Sequence, residues 1–464
     1  MRLSLLGSVF WMSAVLAGVA SCQTANQSPA TAVAPLAAPQ LSPGGAYQEA
    51  LRPLTVTRAS VANWSLSEQA ALAVAIKQAA EACAARSAAN WSGDCLVDLG
   101  HLCALGQSFP AAITAADAYL KETVPAKPRL AEVYAIKVDA ELRLKDETSA
   151  FATTREMLAA VPYGPQVGDA TSEAINFMQL LYTRDATALA LARQPKLLAM
   201  MHASGAVTEP GNANTGAAVP DVGTLYREAL VLPELQQLAG QESAAAASAA
   251  AIDAALPSAL SVDDQLAIAG WRKRYAQLGH PLGDVSALRS LTLPARMPQI
   301  PAQRAITALL LFPDWCPQCI ELARQIPVSV FTVEGNEAYM YGLLVETVPP
   351  QKLAQPSKTQ TPGQPEAFNP AFAAALLHGI SAVVVGSDVI TRFHAVDVPL
   401  LIVCDSQGIV RLITSVDESA LRPGNTVDSA VASVGRQWPA YTPPKDDAPP
   451  IRPAEKSRAG TNPR

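Results

Sequence analysis

The sequence predicts a multidomain chain in which an array of α-helical hairpins precedes an α/β domain. Three observations carry this. The length of 464 residues exceeds what one hydrophobic core usually organises, and predicts about three domains at ~150 residues each. Helix-length periodic segments alternate with short breaks over residues 65–160. Short, continuous apolar runs follow after residue 305, as expected of buried parallel strands.

Composition narrows the class. Half of the residues are hydrophobic, which excludes a globally disordered or fibrous chain, and only 16% are charged. A net charge of -6 supplies no electrostatic footprint for nucleic acid, whose binding relies on Lys and Arg neutralising phosphates. Seven cysteines are too few for a disulfide scaffold but enough for specific pairs.

In chain order, residues 1–21 read as a signal peptide: Met1-Arg2 is a short basic start, and an apolar run follows from Leu3 to Ala20. The run ends Val19-Ala20-Ser21-Cys22, which resembles the bacterial lipobox. That resemblance implies a lipid on Cys22 and an exported, lipid-anchored protein of the cell envelope or periplasm. The alternative is cleavage near Ala20 and a soluble exported product. Either way the chain meets an oxidising compartment where disulfides persist. Residues 22–59 are expected to be a disordered tether, since Gln23 to Gln48 carries no charge and is punctuated by Pro29, Pro35, Pro39 and Pro43.

A helical domain is expected over 60–205. Ser65-Leu66-Ser67-Glu68 is a capping box opening a helix to about Ala88. Asn63-Trp64-Ser65 and Asn90-Trp91-Ser92 have the form of glycosylation sequons but read here as helix punctuation. Further helices are expected at Cys95–Leu105, Ala111–Glu122, Leu130–Leu144 and Ser149–Ala160. Pro125 and Pro162 close equivalent units 37 residues apart, and Ala116/Thr153 and Leu120/Met157 repeat at that spacing. Two helices per unit of this length resemble a tetratricopeptide (TPR) array, though the period is longer and the consensus aromatics are mostly missing. Such an array implies a protein partner on its concave surface. Residues 206–284 read as a linker with connecting helices at Tyr226–Ala239 and Val262–Leu278. Between those two, the alanine run Ser243–Ala255 reads as a semi-rigid spacer that packs little.

The α/β domain is expected over 285–438. Its strands are placed at Ala305–Phe312, Tyr339–Glu346, Ala382–Val385, Pro399–Cys404 and Gly408–Thr414, with helices at Ile320–Ile326, Pro370–His378 and Thr426–Trp438. A polar insertion occupies 348–369. Seven prolines between Pro439 and Arg464 mark 439–464 as a disordered tail.

The chemistry sits at Trp315-Cys316-Pro317-Gln318-Cys319, directly after the first strand and at the start of a helix. At a helix N-cap, backbone N–H groups and the dipole stabilise negative charge on Cys316, lowering its thiol pKa. Pro317 suits the first helical position. Cys319, one turn on, is placed to resolve a mixed disulfide formed at Cys316. These residues resemble the thioredoxin superfamily, in particular the exported, membrane-tethered TlpA/ResA-type proteins. A second match is Val398-Pro399-Leu400-Leu401-Ile402-Val403-Cys404-Asp405-Ser406-Gln407-Gly408. The resemblance implies a thioredoxin fold over 285–438, with Cys316 and Cys319 catalytic, Pro399 as the cis-proline, and Trp315, Pro317 and Val398 lining the substrate. It implies thiol–disulfide exchange on protein substrates. The pattern departs at Leu310, where thioredoxin carries a buried aspartate six residues before its first cysteine. Glu321 or Asp314 could take the acid–base role, although each also reads as a solvated carboxylate.

The other cysteines read as structural. Cys83 and Cys95 lie about equidistant from a turn near Asn90 and can close a disulfide, with Cys103 either an alternative partner or a buried free thiol. Cys404, inside an apolar strand, reads as an inert core thiol. No metal or cofactor is expected. A second Cys/His pair at ligand spacing is absent, Ile320 stands where haem attachment needs histidine, and there is neither a phosphate-binding glycine loop nor an H-E-x-x-H motif. His101, His202, His280, His378 and His394 are scattered. The competing reading is a non-enzymatic TPR-like protein-binding lipoprotein whose thioredoxin domain serves as a scaffold.

Overall fold

The computed structural model describes residues 41–60, 66–123, 127–204, 221–283, 289–290, 304–313, 331–333, 336–345, 382–396, 399–415 and 426–438. Within them the chain is mostly helical, with a mixed sheet in its C-terminal part. The expected signal peptide, Cys22, the tether up to residue 40, the insertion at 348–369, the helices at Ile320–Ile326 and Pro370–His378, and the tail at 439–464 lie outside the described residues.

Among the described residues eleven α-helices precede the sheet: α1 Pro43–Ser60, α2 Leu66–Ala84, α3 Asp94–Leu105, α4 Phe109–Lys121, α5 Leu130–Arg143, α6 Glu147–Ala160, α7 Pro165–Met178, α8 Thr183–Ser204, α9 Val222–Leu238, α10 Glu242–Ala254 and α11 Val262–Tyr275. Consecutive helices from α1 to α10 pack on one another, α11 packs on α9, and alternate helices α1, α3, α5 and α7 also touch in succession. Helices α3, α5 and α7 begin at residues 94, 130 and 165, a step of 35 or 36 residues. The repeat positions Ala116, Thr153 and Met157 are buried, on α4 and α6. Side-chain caps start α6, α9 and α11, among others: Asp146 accepts from Ser149 N, Asp221 from Thr224 N, and Ser261 from Asp264 N.

Three expectations need correction. The tether does not extend to 59, because residues 43–60 form α1. Ser42 opens it, accepting from Gly45 N at 3.1 Å. The apolar positions Ala46, Ala50, Leu51 and Leu54 then bury one face against the next helices. Glu68 accepts from Arg58 Nε, tying α2 to α1, while Ser65, the other half of the expected capping box, lies outside the described residues. Nor is the alanine run a loosely packed spacer: α10 lies on α9 and buries Ala245 and Ile252.

The third correction is the disulfide. Cys83 pairs with Cys103, not Cys95, at an S–S distance of 2.02 Å. Helix crossing explains the choice. A Cβ on Gly106 would lie 2.5 Å from the backbone N of Ala80, so the end of α3 lies tightly against α2 there. In an antiparallel pair, one turn after Ala80 then faces one turn before Gly106, which is Cys83 opposite Cys103. Cys95, buried at the start of α3, takes no part in that bond.

The sheet has seven strands: β1 Arg289–Ser290, β2 Ile306–Pro313, β3 Phe331–Val333, β4 Asn336–Val345, β5 Ala382–Val385, β6 Leu400–Cys404 and β7 Val410–Ser415. Their order is β1-β5-β4-β2-β6-β7, with β3 beside β4. β2, β4 and β5 run parallel, β6 is antiparallel to β2, and β7 is antiparallel to β6. All eight residues of β2 are buried, as its unbroken apolar run requires of a central strand. Leu309 and Leu311 face a core with Leu343, Leu400, Ile402, Val389 and Phe393. The last two belong to α12, Ser387–Phe393, which was not foreseen. Ile306, with the opposite parity, meets α13, Thr426–Gln437, where a Cβ on Gly435 would lie 3.2 Å from it.

Helices and sheet are joined along β7. Gly279 N and Leu282 N donate to Val410 O and Gly408 O, and Val410 N donates to His280 O. Gln179 Nε2 donates to Thr414 Oγ1 at 3.4 Å, Arg274 to Ile413 O at 3.2 Å, and Arg436 to Leu180 O at 3.2 Å. Leu278 and Leu282 are buried in the sheet core. The stretch expected to be a linker is thus, over 221–283, part of the folded body.

Candidate active site

The candidate site lies where β2 leaves the sheet and β6 joins it. In the antiparallel register Leu311 faces Leu400, so Pro313 at the end of β2 and Pro399 just before β6 occupy the same end of the sheet. The ends of the parallel strands β4 and β5, at Val345 and Val385, lie there too, and ligands of open α/β sheets bind outside such strand ends. Pro399 is half-buried. Trp315, Cys316, Pro317, Cys319, Val398, Asp314 and Glu321 lie outside the described residues; the first of the cysteines is three positions beyond Pro313.

Leu310 occupies the position where an acid–base carboxylate was sought. It is fully buried, between Gly342 on β4 and Leu401 on β6. A charge there would need a partner that these neighbours do not offer.

The far end of the sheet carries a polar cluster of a different kind. Asp405 is 2% exposed. Its Oδ1 accepts from Gln407 N and Ile409 N at 2.9 and 3.0 Å, closing the Asp405-Ser406-Gln407-Gly408 turn. Its Oδ2 accepts from Arg411 Nε at 2.8 Å, and the Arg411 guanidinium lies 4.3 Å above the Trp438 ring. Gly408 has φ 78°, a conformation glycine adopts without strain. Both carboxylate oxygens of Asp405 are spent on holding the hairpin. Beside it, burial and then the charge of Asp405 push the Cys404 thiol well above its ordinary range, which suits an inert core residue.

The histidines separate by environment. His101 is bonded to Glu132 and stacked on Tyr47. Burial raises the Glu132 carboxyl, but hydrogen bonds from Arg129 and His101 outweigh this and hold it at about 2. His280 bonds the Leu278 carbonyl. His394 ends α12 and stands edge-on to Trp271 of α11, with ring centroids 4.6 Å apart. That contact joins a helix to the loop before Pro399, and sequence reasoning missed it: a lone histidine and a lone tryptophan over a hundred residues apart give no local signal. Among the described residues no group of three His, Cys, Asp or Glu is placed to hold a metal ion, and no helix is long and apolar enough to cross a membrane.

Comparison with protein-family models, curated proteins and solved structures returned no match.

Proposed function

We propose that the chain is a thiol–disulfide oxidoreductase of thioredoxin type, acting on protein substrates in the bacterial cell envelope through Cys316 and Cys319. One observation carries the reading. The Trp-Cys-Pro-Gln-Cys segment follows directly on the buried central strand β2, flanked by parallel β4 and antiparallel β6 and β7. This is the strand arrangement expected of a thioredoxin core, and Pro399 stands before β6 where that core carries its cis-proline.

The chemistry follows from the two sulfurs. The Cys316 thiolate attacks one sulfur of a substrate disulfide, and the other leaves as a thiolate. Cys319, deprotonated as it attacks, displaces the substrate from Cys316 and closes a Cys316–Cys319 disulfide. The substrate gains two electrons and two protons, and the pair loses them; the reverse sequence oxidises a dithiol. With Leu310 in place of a buried carboxylate, the Cys319 proton passes to a nearby solvated carboxylate such as Glu321 or Asp314, or to water. Cys22 carries the lipid anchor in this reading, and the helical region, as a TPR-like array, presents its stacked α1, α3, α5 and α7 to a protein partner.

Trapping tests the proposal. In Cys319→Ser the mixed disulfide at Cys316 cannot be resolved, so envelope proteins accumulate as adducts that dithiothreitol releases. Their identity reports substrate and direction together. No adducts, together with a Cys316 thiol that alkylates no faster at pH 6 than an ordinary cysteine, sinks the enzymatic reading and leaves a helix-rich binding lipoprotein with a scaffold sheet.

A further inference from the structure

The loop leading into β6 is gripped from outside the sheet. α12 ends at His394, whose backbone is left-handed at φ 42° and ψ 54°. Ala395 N donates to Ile390 O at 3.0 Å and Val396 N to His394 O at 2.9 Å, fixing the turn five residues before Pro399. The His394 ring is wedged against α11. It meets the Trp271 ring edge-on, and it lies so close to Gly270 that any Cβ there would overlap its Cε1 and Nδ1 atoms. Trp271 is itself held: it is 8% exposed, with the guanidinium groups of Arg227 and Arg274 at 4.9 and 5.3 Å from its ring centre. Arg274 also donates to Ile413 O in β7, which ties this part of α11 to the sheet. The same helix therefore bears on both the β7 edge and the loop that opens β6.

We infer that Gly270 and Trp271 are positioning residues for the exchange site, setting the placement of Pro399 through His394. This rests on the reading of Cys316 and Cys319 as the exchanging pair. A substrate segment docks beside Pro399 before its disulfide meets the attacking sulfur, so a displaced Pro399 weakens that docking and raises KM. The absence of a side chain at Gly270 lets α11 approach the loop closely enough for Trp271 to reach His394. The helical region is then part of the substrate-presenting machinery and not merely its support.

The test uses the full chain, bovine insulin as the protein disulfide and dithiothreitol as the recharging reductant. Gly270→Ala leaves α11 at least as helix-prone as before but forces the His394 ring to move; Trp271→Leu removes the anchor with the helix intact. In both, amides of Ala395 to Leu401 should exchange with deuterium about tenfold faster, and KM for insulin should rise about tenfold with kcat held within about twofold. Iodoacetamide should alkylate reduced Cys316 at the wild-type rate. His394→Asn added to Gly270→Ala relieves the overlap, since asparagine is smaller and tolerates the left-handed backbone, and should recover part of the lost KM. Unchanged amide protection, or a lowered melting temperature with KM unmoved, overturns the inference while leaving the redox reading standing. A wild-type chain that neither reduces insulin with dithiothreitol nor, in its oxidised form, oxidises a dithiol peptide overturns the redox reading and this inference together.

Discussion

Glu141 on α5 shows what a single buried carboxyl does to this fold. It is 3% exposed. Its Oε1 accepts from Thr153 Oγ1 at 3.1 Å, Lys137 Nζ stands 3.9 Å away, and its Oε2 is buried without a hydrogen-bond partner. Burial, only partly offset by Thr153 and Lys137, pushes its carboxyl up to about 7 from an ordinary 4.5. The folded state therefore holds a proton that the unfolded chain gives up. The stability this group contributes is fully present below pH 4.5, falls as pH rises, and is lost above about 7. Glu141→Gln should remove that fall. Melting temperatures of the variant and the wild type should converge at pH 4 and separate by several degrees at pH 8, the variant higher, for a difference on the order of 2 kcal/mol. A gap that does not vary with pH would show that the carboxyl ionises normally. The sequence announced none of this, because Glu141 looks like any charged helix residue until α6 covers it. Cys404 is the opposite case: an all-apolar strand marks an inert thiol from the sequence, and Cys404 is fully buried.

At the scale of elements, legibility tracked how local the determining signal was. The apolar runs from 305 and 399 became β2 and β6 because a strand buried on both faces needs only to be continuous and short. The two-residue β1 and three-residue β3 depend on pairing with distant strands and left no pattern of their own. α1 was lost to composition, its uncharged, proline-punctuated start reading as tether although Ala46, Ala50 and Leu54 keep helical spacing. The disulfide was misplaced because symmetry about a turn ignores where two helices cross, and here Gly106 sets the crossing at Ala80. Two tests follow. Replacing Cys83 and Cys103 together by serine should cost about 3 kcal/mol, from releasing a 20-residue loop, read as a lower urea midpoint with unchanged slope. Gly106→Leu should cost on the order of 2 kcal/mol with the bond intact, since its side chain would meet backbone that cannot yield. A neutral Gly106→Leu would mean that α2 and α3 do not approach there.

For the whole molecule, the division into a helical array and an α/β unit was readable, but the seam between them was not. A boundary at residue 285 follows the change in composition, yet the physical connection runs earlier in the chain. Gly279 to Leu282 lies hydrogen-bonded along β7, Leu278 and Leu282 complete the sheet core, and Arg274 occupies a carbonyl further along the same strand. β7 ends the sheet order, so removing this segment bares a row of unpaired backbone groups, the usual template for edge-to-edge association. It also takes two buried leucines, Leu278 and Leu282, out of the sheet core, each worth about 1.5–3 kcal/mol. A fragment of residues 285–438 should therefore aggregate or melt well below one of residues 221–438, which keeps α9 to α11 and the strap on β7. Size-exclusion chromatography and thermal melts of the two fragments decide it. Equal melting temperatures and two monodisperse monomers would mean that the sheet closes its own edge without the strap.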